Sequence, residues 1–275
     1  MLPHLLVDGV RVPGFLYGTA WKEDATESWV RKALDAGFRG IDTANQRKHY
    51  FEAGVGAALR AWQGDEIFIQ TKFTYRRGQD ERLPYDPNAS VGEQVRQSLR
   101  SSLEHLGLQR VDSLVLHGPS KRHGLDASDR EAWNAMEALV DEGLVRLLGV
   151  SNVSAEQLAL FVGLSKRPLA FVQNRCYARQ GWDRSVREVC KASGVIYQGF
   201  SLLTANPEVL RSNELHTIAA RHECTPQQAV FRMAVQLGIL PLTGTCNVEH
   251  MRSDLAIGDL ALSPDEVARL EALAG

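Results

Sequence analysis

Four side chains in the first half of the chain have the chemistry to hold or transfer a proton: the carboxylate of Asp42, the phenol of Tyr50, the ammonium of Lys72 and the imidazole of His117. Three of them end short apolar runs, at residues 38–42, 67–72 and 111–117. If these runs are neighbouring parallel strands, their carboxyl ends meet where the active sites of β/α barrels are built. The sequence therefore predicts that the four side chains share one site.

Apolar runs that suit buried strands recur eight times along the chain. They span residues 14–20, 40–42, 67–72, 111–117, 147–151, 170–173, 195–200 and 239–242. The runs are nearly continuous rather than alternating, which is typical of parallel strands that are buried on both faces. Ahead of them, residues 5–13 predict a small hairpin that turns at Asp8 and Gly9.

Stretches that suit amphipathic helices alternate with these runs. Several end at a glycine, as at Gly37 and Gly107, and Ser154 begins a capping box with Gln157. The predicted helices span 26–36, 52–62, 90–106, 129–142, a stretch that opens at 154, 182–193, 214–221, 225–236, 248–256 and 264–274. Eight strand-then-helix units predict an α/β fold, a (β/α)8 TIM barrel with an N-terminal β-hairpin and a C-terminal helix, as a single domain over residues 1–275.

Bulk composition narrows the class of protein. The chain has 275 residues and a formal net charge of −2, so no strong field draws it to nucleic acid or to anionic membranes. We expect neither a signal peptide nor a bilayer-spanning segment, because no apolar run is long enough. The four cysteines show neither C-x-x-C pairing nor a zinc-like spacing, which predicts free thiols, no metal site and a cytoplasmic protein.

Five short motifs resemble those of the aldo-keto reductase family and occur in the family's order. They are Tyr17-Gly18-Thr19-Ala20-Trp21, Ile41-Asp42-Thr43-Ala44, Ile69-Gln70-Thr71-Lys72, the stretch 112–119 and Gly149-Val150-Ser151-Asn152. The resemblance covers nearly the whole chain. It implies reduction of an aldehyde or ketone to an alcohol by hydride transfer, with NADPH as the usual cofactor, NADH as an alternative, and no metal.

The reaction that the resemblance implies explains the types of the four residues. Hydride attack on a carbonyl carbon leaves an alkoxide that needs a proton. We expect Tyr50 to donate this proton, Lys72 to lower the pKa of the phenol, and Asp42 to keep Lys72 charged. His117 would orient the carbonyl oxygen with a hydrogen bond.

The loop after Asp42 departs from the family pattern. The family's motif is D-T-A-x-x-Y-x-N-E, whereas this chain has Arg47 five residues after the aspartate. Aligning the segment on Glu52 brings His49 to the tyrosine position and leaves Tyr50 one residue later. We attribute this to a short insertion and predict Tyr50 as the proton donor, with His49 as the alternative.

Residues at the strand ends match the family's cofactor contacts. Those expected to hold the cofactor are Gly18, Thr19, Asp42, Ser151, Asn152, Gln173, Phe200, Ser201, Leu203, Gly244, Thr245, His250 and Asp254. The side chains of Ser151, Asn152 and Gln173 supply the donors and acceptors that a nicotinamide carboxamide requires. The ring of Phe200 offers a face on which the nicotinamide can stack.

The charges that bind a 2′-phosphate in NADPH-preferring members are missing from their usual positions. Gly244 and Thr245 replace a lysine-serine pair, His250 replaces an arginine, and Asp254 replaces an asparagine. Because a 2′-phosphate usually pairs with Arg or Lys, Arg252 would have to turn inward to bind it. NADPH remains the expected cofactor, with NADH used as well.

The substrate is expected to be a small-molecule carbonyl compound that contacts Trp21, Tyr50 and His117. Further aromatic candidates for an apolar pocket are Phe73, Tyr75, Tyr177 and Trp182. Two other functions are alternatives: a cofactor-binding barrel with a regulatory or sensing role, and a metal-dependent barrel hydrolase that uses Asp42 and His117. The protein is expected to be a monomer, since no helix presents a long exposed apolar face.

Overall fold

The chain closes into a barrel of eight parallel strands preceded by a two-stranded hairpin. The computed structural model describes residues 2–273. The hairpin strands are β1 (Leu5–Val7) and β2 (Val10–Val12), and the barrel strands are β3 (Leu16–Gly18), β4 (Gly40–Asp42), β5 (Phe68–Phe73), β6 (Val111–Leu116), β7 (Val145–Ser151), β8 (Phe171–Arg175), β9 (Ile196–Phe200) and β10 (Ile239–Thr243). Each predicted apolar run overlaps one barrel strand.

Consecutive barrel strands lie side by side, and β10 pairs with β3 to close the barrel. The closing register places Leu242 opposite Leu16 and Thr243 opposite Tyr17. Every pair in the barrel is parallel, which requires a crossover between successive strands. The predicted (β/α)8 fold and its N-terminal hairpin are confirmed.

Helices supply these crossovers, and the predicted caps Gly37, Gly107 and Ser154 are found. The helices are α1 (Thr26–Ala36), α2 (Glu52–Ala61), α3 (Val91–Leu106), α4 (Ala127–Asp141), α5 (Ala155–Leu164), α6 (Arg184–Ser193), α7 (Pro207–Leu210), α8 (Asn213–Arg221), α9 (Pro226–Gln236), α10 (Val248–Leu255) and α11 (Pro264–Glu271). Ser154 and Gln157 form the predicted capping box. The predicted end of the last helix, Ala274, lies outside the described residues. Within residues 2–273, no helix combines the length and apolar character that a membrane span requires.

Side chains that alternate along the strands fill the barrel in layers. On β5, Phe68, Gln70 and Lys72 point inward, whereas Ile69 and Phe73 pack in the outer core between sheet and helices. The lowest layer, at the amino ends of the strands, is apolar and includes Leu16, Phe68, Leu147, Phe171 and Leu240. A polar layer follows, and the reactive side chains lie above it at the carboxyl ends, where the barrel presents its site.

The hairpin covers the amino end of the barrel. Val10 and Val12 of β2 are 3% and 0% exposed and belong to the same apolar cluster as the lowest barrel layer. Burying these side chains excludes water from that end. The hairpin therefore leaves the carboxyl end of the barrel as the face on which a ligand can enter.

Candidate active site

One large cavity opens among the carboxyl ends of the barrel strands. Its volume is about 630 Å³, within the range of roughly 300–1,000 Å³ that is typical of small-molecule sites. The predicted site residues that line it are Gly18, Trp21, Asp42, Tyr50, His117, Ser151, Asn152, Gln173, Phe200, Ser201, Leu203, Gly244, Thr245, His250 and Asp254. The structure therefore brings most of the predicted site residues around one space.

Beneath the cavity, Asp42 and Lys72 form a buried ion pair. Lys72 Nζ donates to both carboxylate oxygens of Asp42 at 2.7 Å and to the main-chain oxygen of Thr43 at 2.8 Å. Lys72 is 1% exposed and Asp42 is 3% exposed. Burial lowers the pKa of the Lys72 ammonium, and the Asp42 charge offsets part of this effect. All three ammonium protons are engaged, so none is left for another acceptor.

Amide side chains from three strands support Asp42 from below. Gln70 Nε2 and Gln173 Nε2 donate to Asp42 Oδ1 at 2.7 and 2.9 Å. The same two nitrogens donate to Gln198 Oε1 at 2.8 and 3.0 Å. An ionised carboxylate can only accept hydrogen bonds, so both glutamines must turn their NH2 groups toward Asp42. Gln173 Oε1 is then an acceptor that has no partner among residues 2–273.

Tyr50 lies in the loop before α2, with its ring turned toward the ion pair. Lys72 Nζ is 5.2 Å from the centroid of the Tyr50 ring, and the centroid of the His117 ring is 5.9 Å away. Within the described chain, the hydroxyl makes no hydrogen bond to another residue. Burial and the charge of Asp42 raise the pKa of Tyr50. The expected net lowering of the Tyr50 pKa by Lys72 is therefore wrong, because burial and the negative charge of Asp42 raise it.

His49, the alternative proton donor, lies beside the cavity rather than in its lining. Its ring packs against Trp21 at an interplanar angle of 40°, with centroids 4.0 Å apart, and its main-chain oxygen accepts from Trp21 N at 2.7 Å. Burial and Lys48 lower the pKa of His49. Tyr50 lines the cavity together with His117, and His49 does not. The placement of the two side chains therefore favours Tyr50.

His117 follows β6 and contributes its imidazole to the cavity wall. Nδ1 of this ring lies 2.7 Å from Thr74 Oγ1. Burial, together with the charges of Lys72 and His49, lowers the pKa of His117 to about 3. The ring is therefore neutral at physiological pH, and a neutral imidazole donates one hydrogen bond and accepts one.

Ser151 and Asn152, at the end of β7, leave an acceptor at the cavity. Ser151 Oγ donates to the main-chain oxygen of Gln173 at 2.6 Å. Asn152 Nδ2 donates to the main-chain oxygen of His117 at 2.8 Å and to Ser151 Oγ at 3.1 Å. Both amide protons of Asn152 are used, so its Oδ1 remains as an acceptor. The residue has a φ of 55°, in the left-handed region that asparagine tolerates better than most residues.

The end of the cavity formed by β3 and β10 contains a cation that the sequence analysis did not assign. Lys22 is 5% exposed, and its Nζ donates to the main-chain oxygen of Gly244 at 2.9 Å. Arg252 is exposed and does not line the cavity, so the inward turn considered for it is wrong. Asp254 lines the cavity, and burial raises its pKa to about 7. This end of the cavity therefore contains a buried ammonium group and a weakly acidic carboxyl group.

Comparison with known proteins decides the family. Residues 16–274 match the model of the aldo/keto reductase family. The chain belongs to this family. It is 31% identical over 274 residues to an aldo-keto reductase of Mycolicibacterium vanbaalenii, with 98% of this chain and 91% of that protein covered. It is 29% identical over 277 residues to the 9,11-endoperoxide prostaglandin H2 reductase of Trypanosoma cruzi, with 98% and 90% covered.

A solved structure shows the same fold. The crystal structure of a Bombyx mori aldo-keto reductase in complex with NADP matches with a TM-score of 0.82 at 22% identity, covering 99% of this chain and 92% of that one. The predicted family is confirmed. As an aldo/keto reductase, the protein is an NAD(P)H-dependent oxidoreductase, and its family reduces carbonyl groups.

Some predicted residues of this aldo/keto reductase lie outside the cavity. Thr19 is fully buried, and both its main-chain nitrogen and its Oγ1 donate to the main-chain oxygen of Asp42 at 3.0 Å. It therefore positions the end of β4 rather than facing a ligand. The prediction that further aromatic side chains line the pocket is wrong for Phe73, Tyr75, Tyr177 and Trp182.

Other residues line the cavity and were missed. They include Lys22, Arg175, Leu202, Thr225, Gln227, Phe231, Thr243, Cys246 and Ser253. Lys22 directly follows the Tyr17–Trp21 motif, so its position just beyond a strand end could have indicated that it lines the cavity. Thr225 and Gln227 open α9, a helix that reaches the cavity only because of how it packs on the barrel. No local pattern in the sequence indicates that placement.

Proposed function

We propose that this protein reduces the carbonyl group of an aldehyde or ketone to an alcohol, with NADPH as the hydride donor and NADH as an alternative. One observation carries the proposal. Tyr50 and His117, two neutral hydrogen-bond donors, line the same cavity directly above the buried pair of Asp42 and Lys72. Neutral donors beside a buried ion pair suit a reaction in which an oxygen gains negative charge.

The residues around β7 and β8 fit the nicotinamide end of the cofactor. Asn152 Oδ1 and Gln173 Oε1 are both left without hydrogen-bond donors by the network that fixes their amides. Two free acceptors match the two N–H groups of a carboxamide. Phe200, at the end of β9, supplies a ring face for the nicotinamide. When bound, the reduced cofactor supplies the hydride.

The other end of the cavity fits the phosphates of the cofactor. Lys22 holds its ammonium against the main-chain oxygen of Gly244, at the loop after the last barrel strand. Barrels commonly bind phosphate groups on their last loops. One lysine favours an anionic ligand without selecting a 2′-phosphate, and Asp254 adds a negative charge above about pH 7. We therefore expect NADPH and NADH both to bind.

Each of the four predicted residues has a distinct part in the proposed reaction. His117 donates a hydrogen bond to the carbonyl oxygen and orients it. Tyr50 donates the proton that the oxygen takes up as hydride reaches the carbon. Asp42 and Lys72 form the buried base beneath the Tyr50 ring, whose centroid lies 5.2 Å from Lys72 Nζ, and so hold the phenol at the cavity.

The raised pKa of Tyr50 is compatible with its proposed role as the proton donor. A phenol with a raised pKa stays protonated across the neutral range and so always has a proton to give. The alkoxide that forms is a strong base, so it takes that proton even from a weak acid. Transfer of the Tyr50 proton becomes favourable only once hydride has reached the carbon and the oxygen has gained negative charge. Before that point, no isolated charge forms in the buried site.

The test compares Tyr50→Phe with His49→Gln. We expect Tyr50→Phe to lower kcat for reduction of 4-nitrobenzaldehyde by roughly 10²–10⁴-fold, the usual share of a proton donor. NADPH affinity, measured by quenching of tryptophan fluorescence, should stay nearly unchanged, because Tyr50 is not among the proposed cofactor contacts. His49→Gln serves as the control and should retain most of the activity.

The result that overturns this assignment is the reverse pattern, in which His49→Gln loses turnover and Tyr50→Phe keeps it. If the wild-type protein binds neither NADPH nor NADH, the proposed function itself fails.

A second candidate is a barrel that binds the cofactor in a regulatory or sensing role with little turnover. The free Tyr50 hydroxyl, which no residue of the described chain orients, favours it. Tight NADPH binding without reduction of any aldehyde or ketone in a broad panel would support it. The hydrolase alternative gives way to the family assignment, and residues 2–273 contain no cluster of His, Cys, Asp or Glu arranged to hold a metal. The monomeric state and the cytoplasmic location stay predictions.

A further inference from the structure

Thr74 contacts the imidazole of His117 from behind the cavity wall. It directly follows β5, it is 6% exposed, and its Oγ1 lies 2.7 Å from His117 Nδ1. Its main-chain oxygen accepts hydrogen bonds from Tyr85 Oη at 2.8 Å and from Gln79 Nε2 at 3.3 Å. The backbone of Thr74 is therefore held in place independently of the histidine.

The side chain of Thr74 is also held in one rotamer. A Cβ built on Gly78 would lie 2.7 Å from Thr74 Cγ2, so the methyl group packs closely against this glycine. A β-branched side chain has few favourable χ1 angles. With the methyl group fixed against Gly78, the hydroxyl is directed at His117.

Two distributions of protons are compatible with a neutral imidazole beside a hydroxyl. In the first, Thr74 Oγ1 donates to Nδ1, so His117 carries its proton on Nε2. In the second, Nδ1 donates to Thr74 Oγ1, and the hydroxyl proton then needs another acceptor. Among residues 2–273 the hydroxyl has no other partner. The first distribution satisfies both groups, and the second leaves a buried O–H without an acceptor, which is costly.

We propose that Thr74 is a positioning residue that selects the Nε2–H tautomer of His117. The neutral state of the ring makes this selection necessary, because a protonated imidazole would donate from both nitrogens. The importance of the tautomer for catalysis rests on the proposed function, in which His117 donates to the carbonyl oxygen. Only Nε2–H can make that bond, because Nδ1 faces Thr74. The tautomer itself is a property of the protein and can be measured without any reaction.

Three variants test the proposal. Thr74→Val keeps the shape and the packed methyl group but removes the hydroxyl. Thr74→Ser keeps the hydroxyl but loses the methyl group that directs it. Thr26→Val is the control, because it removes another buried threonine hydroxyl, which donates to the main-chain oxygen of Glu23 at 2.6 Å, away from any histidine.

The first measurement is the tautomer of His117 by long-range ¹H–¹⁵N NMR of the protein labelled at histidine. The His117 signals are assigned as those missing from His117→Gln. In the wild type, and in the Thr26→Val control, we expect Nδ1 to be unprotonated and Nε2 to be protonated. Thr74→Val should shift both nitrogens toward a mixture of tautomers, and Thr74→Ser should give a shift between those of the wild type and the valine variant.

The second measurement is steady-state reduction of 4-nitrobenzaldehyde. Loss of a hydrogen bond that fixes the donor should lower kcat/KM roughly threefold to tenfold in Thr74→Val. The dissociation constant for NADPH should not change. Thr74→Ser, which keeps the hydroxyl, should lose less kcat/KM than Thr74→Val. If Thr74 acted only through the packing of its methyl group, Thr74→Val would lose less than Thr74→Ser.

Two results would overturn the inference: a wild-type ring protonated on Nδ1, or a Thr74→Val spectrum identical to that of the wild type. Failure of the proposed function gives a different pattern. In that case the NMR signals follow Thr74 as described, but the wild type reduces no carbonyl compound, so the tautomer assignment stands and its catalytic meaning does not.

Discussion

Replacing Asp42 with asparagine tests the cost of leaving the buried Lys72 without its counter-charge. A carboxylate presents two acceptor oxygens, whereas an amide presents one oxygen and one NH2 group. Lys72, Gln70 and Gln173 all donate to Asp42. In Asp42→Asn, at least one of these donors loses its acceptor, and Lys72 loses its counter-charge.

The expected loss of stability is large. Removing one partner of a buried ion pair costs about 3–5 kcal/mol. With roughly 2–4 °C of Tm per kcal/mol for a domain of this size, Tm should fall by roughly 6–20 °C at pH 7. Burial already lowers the pKa of Lys72 below its ordinary 10.5, and without the carboxylate it falls further. The folded variant then binds fewer protons than the unfolded chain, so its stability rises with pH up to about 10.

Thermal and urea denaturation at pH 7 and pH 9.5, followed by circular dichroism, test this expectation. The control is Glu142→Gln, which breaks an ion pair of the same 2.7 Å length to Arg96. Its two side chains are 34% and 43% exposed, so the loss should be less than about 1 kcal/mol. The reasoning is refuted if Asp42→Asn loses no more stability than the control, or if its deficit does not shrink at the higher pH.

Four further substitutions each test one position. Lys22→Met removes the buried ammonium at the end of the cavity that we propose for the cofactor phosphates. It should weaken NADPH binding roughly tenfold to 150-fold, as measured by fluorescence quenching, since hydrogen bonds from charged groups contribute about 1.5–3 kcal/mol. Asp254 has a folded pKa of about 7, above the ordinary 3.8, so wild-type stability falls as pH rises through this window. Asp254→Asn should therefore have the higher Tm at pH 8 and an equal Tm at pH 4 in calorimetry. In Gly56→Ala the new Cβ would lie 2.1 Å from the main-chain oxygen of His105, which should cost about 1–3 kcal/mol in urea denaturation. Gly163→Ala, with no atom within 4 Å, should instead gain about 0.5–1 kcal/mol.

The fold could be predicted because its signals are local and repeated. Buried parallel strands need continuous apolar runs, and eight such runs with helices between them leave few alternatives to a closed barrel. Helix ends were marked by glycines in the left-handed region, such as Gly37 with a φ of 115°. The short helix α7 (Pro207–Leu210) was missed because four residues are too few to show a helical period.

The site was predicted as a set of strand-end residues, but its internal contacts were not. The position of Lys72 on β5 indicates that it lies near Asp42, and the pair forms. The direction of the Tyr50 pKa shift was predicted wrongly, because burial of the ring and the negative charge of Asp42 raise the pKa. Both effects depend on how the loop before α2 packs over the ion pair, which spacing along the chain does not contain.

The polar layer below Asp42 could have been predicted from the positions of its glutamines in the sequence. Gln70 lies two residues before Lys72 on β5, and Gln198 lies two residues before Phe200 on β9. Alternate residues of a strand share one face, so both glutamines must point into the barrel below the site. Polar residues at such positions need partners inside the barrel, which predicts that they bond to one another and to Asp42.

Burial shifts the pKa values of the three titratable groups Tyr50, Lys72 and His117, which lie above this layer. It raises the pKa of Tyr50 and lowers those of Lys72 and His117, so each group is pushed toward its neutral form. Only Lys72 has a carboxylate in contact, and it alone retains a charge, directed away from the cavity into Asp42. Tyr50 and His117 stay neutral and keep one O–H and one N–H proton. In the proposed reaction, neutral donors would bind the carbonyl oxygen weakly at first and more strongly as it becomes negative, which would stabilise the transition state more than the substrate.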